Sequence, residues 1–452
     1  MARAMVRPLG SAYEAGEIPI MSEESLNGPG VNLNLRVRGL GKSPTVAINE
    51  HSDRLRAEGR EVWKLGLGQS PFPVPRAVVN ALKENAHQKD YLAVQGLLQL
   101  REAVAGYHQR KHGVNVSADD VLIGPGSKEL MFLLQLVYYG DLVIPTPSWV
   151  SYAPQAQIIG RQVRMLPTRA ENDWLLTPDQ LDELCHEDTG RPRIVVLNYP
   201  SNPTGGTYEG EELAALAQVA RRHGVIVLSD EIYGELNFKG EHVSIERFYP
   251  EGTIVASGLS KWCGAGGWRL GTFAFPRQLH WLLEAMSAVA SETFTSTSAP
   301  IQYAAVAAFE PNIEIERYLW RTRHILRALG PELARRLRAV GVEVIEPVGG
   351  FYLFPDFSPL REKLAARGIT TSEKLANRAL EEAGVAFLPG THFGRPREEL
   401  TARLAYVNFD GATALAAAEQ QPADAEIDLA FLQRYCEGPL TAVDRLCEWV
   451  AR

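Results

Sequence analysis

The chain has 452 residues, 45% of them hydrophobic and 22% charged, with 46 Lys plus Arg against 54 Asp plus Glu and a net charge of -8. That length suits two or three domains, and the mild acidity argues against nucleic acid and anionic membranes as partners. Cys185, Cys263, Cys436 and Cys447 form no CxxC pair, and no apolar run approaches the ~18 residues of a membrane span, so a cytoplasmic protein with reduced thiols is expected.

Residues 1–43 are rich in Gly, Pro and Ser and lack periodicity, so they are expected to form an extension that wraps a surface or stays mobile. They hold no continuous apolar stretch for a secretory signal, and Glu14, Glu17, Glu23 and Glu24 speak against a transit peptide. From Pro44 to Arg60, the spacing of Val46, Ile48, Leu55 and Ala57 predicts an amphipathic helix. Pro71, Pro73 and Pro75 predict an extended crossing. Beyond residue 76, helical patterns alternate with β-branched runs beginning at Val121, Leu142, Arg193, Val225 and Thr253. Continuous apolar runs of this kind suit strands covered on both faces of a parallel sheet. A long helix is expected near 312–340. Short strands are expected at Val342–Ile345, Gly350–Phe354 and Arg403–Val407, then an Ala/Gln-rich surface insertion at 412–424 and a last helix at 427–451. The expected division is a large domain over 76–325 and a smaller α/β domain built from 44–75 and 326–452.

Chemistry concentrates in the segment Ser257-Gly-Leu-Ser260-Lys261-Trp-Cys-Gly-Ala-Gly-Gly-Trp-Arg269-Leu-Gly. An amine among small residues can form an imine with a carbonyl, and a guanidinium nearby can hold a phosphate. Pyridoxal 5'-phosphate (PLP) presents both groups. Other candidates lie at predicted strand ends. Gly126-Ser127-Lys128 precedes a helix and reads as a phosphate-binding helix start or as an ordinary turn. Trp149 reads as a ring-stacking face or a core residue. Asn202, in Asn-Tyr-Pro-Ser-Asn-Pro-Thr-Gly205, offers an amide donor for a phenolate or simply shapes a turn. Asp230, three residues before Tyr233, is a carboxylate suited to a protonated ring nitrogen or a solvated strand end. Arg403 is a fork for a carboxylate or a surface ion pair.

Taken in order, Asn-Pro-Thr-Gly, Asp-x-x-Tyr, Ser-x-x-Ser-Lys with Gly-Trp-Arg-Leu-Gly, and Arg-Leu-x-Tyr resemble the class I/II aminotransferases of the fold-type I PLP enzymes. Gly68 with Pro71-Phe72-Pro73, Tyr91 with Leu100-Arg101, Gly350-Phe351-Tyr352 and Pro389-Gly390 with Phe393-Gly394 extend the likeness over about residues 44–410. The resemblance implies a large α/β domain with a mostly parallel seven-stranded sheet flanked by helices, a smaller α/β domain, and a homodimer with shared sites. It implies that Lys261 holds PLP as an aldimine and moves the substrate proton. Asp230 pairs with the pyridinium nitrogen, Asn202 and Tyr233 with the ring hydroxyl, and Trp149 stacks on the ring. Gly126, Ser127, Lys128, Arg269 and either Ser257 or Ser260 hold the phosphate, with Tyr91 reaching the phosphate of the partner subunit. Arg403, Asn202 and Gly68 grip the substrate carboxylate. The chain departs from some members in having Gly258 three residues before the lysine, where they carry serine, and Gln69-Ser70 near the entrance.

The activity implied is transfer of an amino group between an L-amino acid, neutral or aromatic, and a 2-oxo acid. Elimination of a sulfur group, cyclisation to aminocyclopropane carboxylate and a non-catalytic regulatory role are the alternatives on this scaffold. Gly39-Leu-Gly-Lys42-Ser43 is half a P-loop and is rejected, because Arg36 stands where the first glycine belongs. His108 and His112 are spaced like zinc ligands, but a solvated helix end is the expectation; Cys263 is expected to be a packed thiol. No metal is expected.

Overall fold

The computed structural model describes residues 32–422 and 425–452, so the reading of the extension over 1–31 lies outside the described residues. In chain order the strands are β1 (Trp63–Lys64), β2 (Val121–Gly124), β3 (Asp141–Thr146), β4 (Val163–Pro167), β5 (Arg193–Asn198) and β6 (Ile226–Asp230). β7 (Thr253–Gly258), β8 (Gly271–Ala274), β9 (Tyr352–Leu353), β10 (Val385–Ala386), β11 (Leu388–Pro389) and β12 (Ala402–Ala405) follow.

Seven strands form one sheet in the order β2-β8-β7-β6-β5-β3-β4. Only β8 runs antiparallel to its neighbours β2 and β7. The Ile, Val and Leu runs of β5 and β6 are buried along their length, as a sheet covered on both faces requires. The helix Ser127–Val137 covers one face with Leu130, Met131, Leu133 and Leu134, all fully buried. Each such side chain stabilises the fold by about 1.5–3 kcal/mol. The helix Gly210–His223 covers the other face with Leu213, Leu216 and Ala217, and Gly224 in the left-handed conformation ends it.

The remaining strands are short: β1 pairs with β10, and β11-β12-β9 form a three-stranded sheet. The long helix runs from Ile313 to Ala339, capped by Asn312, whose side chain accepts from the Glu314 and Ile315 amides. Three sequence expectations change here. Val342–Ile345 forms no strand, only an isolated bridge between Glu343 and Asp356. Residues 411–419 are a helix rather than a surface insertion, because Ala414, Leu415 and Ala418 share one face and bury it. The final helix is two, Leu429–Tyr435 and Glu437–Ala451, broken at Cys436. Pro439 has no N–H to donate and is tolerated only in a first turn, so the second helix restarts just before it.

Candidate active site

The sheet registers Asn198 of β5 beside Asp230 of β6, and Asp230 beside Ala256 of β7, so three neighbouring strands end at one crevice. This is where open α/β sheets bind ligands. Lys261 follows the end of β7. The turn before it passes through Gly258 at φ 154°, where a Cβ would sit 2.6 Å from the Leu270 carbonyl oxygen. A serine cannot enter there without moving the backbone, which accounts for the departure at this position. Lys261 Nζ donates to the Gly68 carbonyl at 2.8 Å and lies 5.6 Å from the Tyr233 ring centre and 5.9 Å from that of Phe351. Burial, and then the Arg403 guanidinium, lower its pKa to about 8, while Asp230 pulls the other way. Lys128 and Arg269 also act on this amine, so the predicted residues share one electrostatic site.

Asp230 is 4% exposed. Its Oδ2 accepts from the Tyr152 hydroxyl at 2.5 Å and its Oδ1 from the Ile232 amide at 3.4 Å. Burial raises its pKa to about 6 against the pull of those hydrogen bonds. A buried carboxylate with one lone positive neighbour is short of a cation, which a protonated ring nitrogen would provide. Asn198 ties the crevice together: its Nδ2 donates to the Asp230 carbonyl at 2.9 Å, and its Oδ1 accepts from the Asn202 amide at 2.8 Å. Tyr233 is buried, with its hydroxyl 2.7 Å from that of Tyr352. Tyr152 and Asn198 were missed as site residues from sequence. Tyr152 lies three residues beyond Trp149, and only the tertiary fold turns its hydroxyl onto Asp230.

On one side of the crevice the chain builds an anion cradle. Gly126 has φ 93° and caps the helix Ser127–Val137; a Cβ on it would lie 2.1 Å from Arg269 Nη2. A Cβ on Gly271 would lie 2.1 Å from the Ser127 amide nitrogen. These glycines let the free amides of the helix start and the guanidinium meet in one place, as a phosphate needs. Arg269 itself sits at φ 57°, a left-handed conformation that costs about 1–3 kcal/mol off glycine. Its hydrogen bonds go to the Gly266 and Pro125 carbonyls, and Lys128 Nζ stands 5.0 Å over the Trp149 ring. Both cations therefore meet dipoles and a π-face rather than carboxylates.

Opposite, Arg403 is 1% exposed. It donates to Asn202 Oδ1 at 3.2 Å and to the Gly66 carbonyl, and lies 4.8 Å from the Tyr352 ring and 5.1 Å from the Phe393 ring. Its Nε is buried without a partner. A buried guanidinium with an unused N–H and no acidic partner fits an arriving carboxylate. Gly68 lines the approach, and a Cβ there would lie 2.0 Å from the Tyr352 hydroxyl oxygen. Ser260 is partly buried beside Lys261, whereas Ser257 lines a small cavity with His112, Glu231 and Phe309. Tyr91 is 88% exposed and no hydrogen bond joins it to these residues.

The residues fit PLP: a helix-start cradle for the phosphate, a buried carboxylate for the ring nitrogen, an indole packed against Tyr152, and an amine that feels the carboxylate and both cations of the cradle. In the rejected P-loop segment, Lys42 is exposed and pairs with Glu50 at 2.7 Å. Cys263 is a packed thiol whose pKa burial raises. The expectation for His108 and His112 is corrected. Both are buried, at 3% and 5%, because their helix turns them onto the segment after β6. His108 Nδ1 lies 2.9 Å from Glu246 and His242 Nε2 lies 2.8 Å from Glu231, behind Asp230. Glu231 also accepts from Ser229 at 2.7 Å and Ser244 at 2.6 Å. Burial drives the pKa of His112 down to about 4.

Residues 60–415 match the family model of aminotransferase class I and II. The aspartate aminotransferase of Geobacillus stearothermophilus is 35% identical over 81% of this chain and 93% of its own. The asparagine–oxo-acid transaminase of Streptococcus mutans is 32% identical over 83% and 94%. The structure of Thermus thermophilus aspartate aminotransferase with maleate matches at a TM-score of 0.78 and 28% identity, covering 93% of this chain and all (100%) of that one. The aromatic aminotransferase of Pyrococcus horikoshii matches at 0.72 and 29%, covering 88% and 98%.

Proposed function

The chain belongs to the class I and II aminotransferase family and is a PLP-dependent transaminase; from that premise, we propose that it passes an amino group between an L-amino acid and a 2-oxo acid in the crevice around Lys261. The observation that carries this reading is the pairing of an amine poised at about 8 with a buried guanidinium that lacks a carboxylate. PLP supplies the carbonyl for that amine and an electron-withdrawing ring. Arg403, seconded by Asn202, orients the substrate carboxylate. Lys261 Nζ, once neutral, takes the proton from the substrate α-carbon and returns it. Positioned proton transfer contributes about 10²–10⁴-fold. Asp230, held by Tyr152, keeps negative charge at the ring nitrogen. The Tyr233–Tyr352 pair closes one wall.

The test is a half-reaction. The loaded enzyme with one amino acid should yield one equivalent of 2-oxo acid per site and then stop until a 2-oxo acid acceptor is added. Continuous turnover without an acceptor would favour elimination instead.

A neutral or aromatic donor is supported by the stretch between Arg277 and Arg317, which contains no Lys or Arg, and by the walls formed by Trp149, Phe351 and Tyr352. A second reading rests on Lys128. Its ammonium faces the Trp149 ring without an acidic partner and could meet a side-chain carboxylate, in keeping with relatives named for aspartate. kcat/KM for aspartate, glutamate, alanine, leucine, phenylalanine and tryptophan with one fixed acceptor separates the two. Preference for aspartate, lost in Lys128→Gln, selects the second. The exposed Tyr91 supports a dimer in which it serves the neighbouring site. Mixing inactive Tyr91 and Lys261 variants should restore activity through hybrid dimers, and a monomer in sedimentation would exclude it. A cytoplasmic location is in keeping with the four free cysteines, and among the described residues no helix is long and apolar enough to cross a membrane.

A further inference from the structure

Two helices that flank β5 in sequence bring three metal-ligating side chains together. Asp182 and His186 lie one turn apart on the helix Pro178–Glu187, so their side chains project from one face. His223 is the last residue of the helix Gly210–His223, which packs beside it. His223 Nε2 is 2.6 Å from Asp182 Oδ1, and His186 Nε2 is 3.4 Å from Asp182 Oδ2. The imidazole rings are 5.1 Å apart and nearly perpendicular, at 85°. All three ligand atoms lie within 4.8 Å of one another.

We propose that Asp182, His186 and His223 form a site for a borderline divalent cation of the zinc type. Zinc bonds to imidazole nitrogen and carboxylate oxygen run about 2.0–2.2 Å, which places tetrahedral ligands roughly 3.3–3.6 Å from each other. The His186–Asp182 separation of 3.4 Å lies in that range, and the His223–Asp182 hydrogen bond of 2.6 Å would have to lengthen to admit the ion. Two nitrogens and one oxygen are a donor set that imidazole-binding metals accept and magnesium does not favour. His223 is held in place with its side chain 15% exposed, whereas that of His186 is 63% exposed and free to adjust. Water would complete the coordination, since the site opens to solvent. Arg222 opposes the ion: its Nη1 lies 3.2 Å from the same Asp182 oxygen and competes for its charge. Binding there would clip the two packed helices together, a structural role.

The experiment is calorimetric titration of the PLP-loaded protein with zinc chloride, with magnesium chloride as control, alongside thermal melting. One zinc per chain is expected, with a raised Tm and no response to magnesium. His186→Ala and His223→Ala should each weaken binding by more than the roughly 10–100-fold that loss of an outer-shell partner costs. Arg222→Ala should tighten it several-fold, an outcome that impaired folding cannot mimic. No saturable zinc binding, or binding that both histidine variants leave unchanged, would overturn the proposal.

Discussion

Two clusters of titratable groups lie back to back across the segment Asp230–Glu231, and they differ in how their charges are matched. Behind the strand, Glu231 and Glu246 each meet a histidine, and Glu235 meets Arg323 at 2.5 Å and Tyr107 at 2.7 Å. In front, Lys261 meets a backbone carbonyl, Arg403 keeps an unused N–H, and Asp230 rests on a tyrosine hydroxyl. The carboxylates of the rear cluster are matched by the chain itself, while His112 and His242 each keep a buried Nδ1 without a partner. The front cluster leaves charges for a ligand to complete. Burial is similar in both, so burial alone does not mark a catalytic site. The mismatch of charge is what separates the two clusters.

The sharpest break of this contrast is Lys261→Ala. Turnover should fall by at least the ~10²–10⁴-fold of lost proton transfer alone, with folding intact. Borohydride reduction of the wild-type holoenzyme followed by peptide mapping should place the pyridoxyl group on Lys261, and a label on another lysine would refute the assignment. Asp230→Ala comes next, with kcat expected to drop on the order of 10²–10³-fold, the loss typical of a preorganised electrostatic partner. Near wild-type turnover would contradict its role at the ring nitrogen.

Glu231→Gln tests the rear cluster and should act on stability. Burial opposes the Glu231 charge, but His242 and Ser244 hold its pKa at about 2 rather than the ordinary 4.5. A depressed carboxylate stabilises the fold above its free value, and that contribution is lost as pH falls from about 4.5 through about 2. The size is roughly 3 kcal/mol. Urea unfolding of the variant at pH 7 should show that deficit, and the gap to wild type should narrow in acid. An unchanged gap would mean that the pair does not stabilise. The smallest effect is expected for Tyr152→Phe, which removes one charge-assisted hydrogen bond worth about 1.5–3 kcal/mol. Without it the Asp230 pKa should rise further, and the lower limb of the kcat pH profile should move to higher pH while the α-carboxylate affinity stays the same. A change in KM alone would point to a purely structural tyrosine.

Much of the front cluster was legible along the chain, because its members fall in short motifs at or near strands: Asp230 ends β6, Asn202 and Lys261 follow β5 and β7, and Arg403 lies in β12. The structure gathers Asp230, Lys261, Asn202 and Arg403 around one crevice, and the β-branched runs became the central strands. The helix at 411–419 was misread because Ala and Gln composition suggests a surface, while the decisive fact is that it packs on the long helix Ile313–Ala339; the last helix was read as continuous because its periodicity does not mark the break at Cys436. The glycines at 126, 258 and 271 could be read as turns, but not as the points where Arg269, Leu270 and Ser127 come close.

What the sequence by itself determined is the cofactor chemistry: an amine, a carboxylate, an amide and two guanidiniums, each within a short motif close to a strand that local pattern defines. What only the tertiary structure decided is which charges are already matched. The Tyr152–Asp230 bond spans 78 residues and the His108–Glu246 pair 138. Local spacing carries no information about such distances, since a side chain's partner is set by how helices and sheet pack. The same i, i+4 spacing therefore buried His108 and His112 behind Asp230 and left Asp182 and His186 facing a third ligand near the surface.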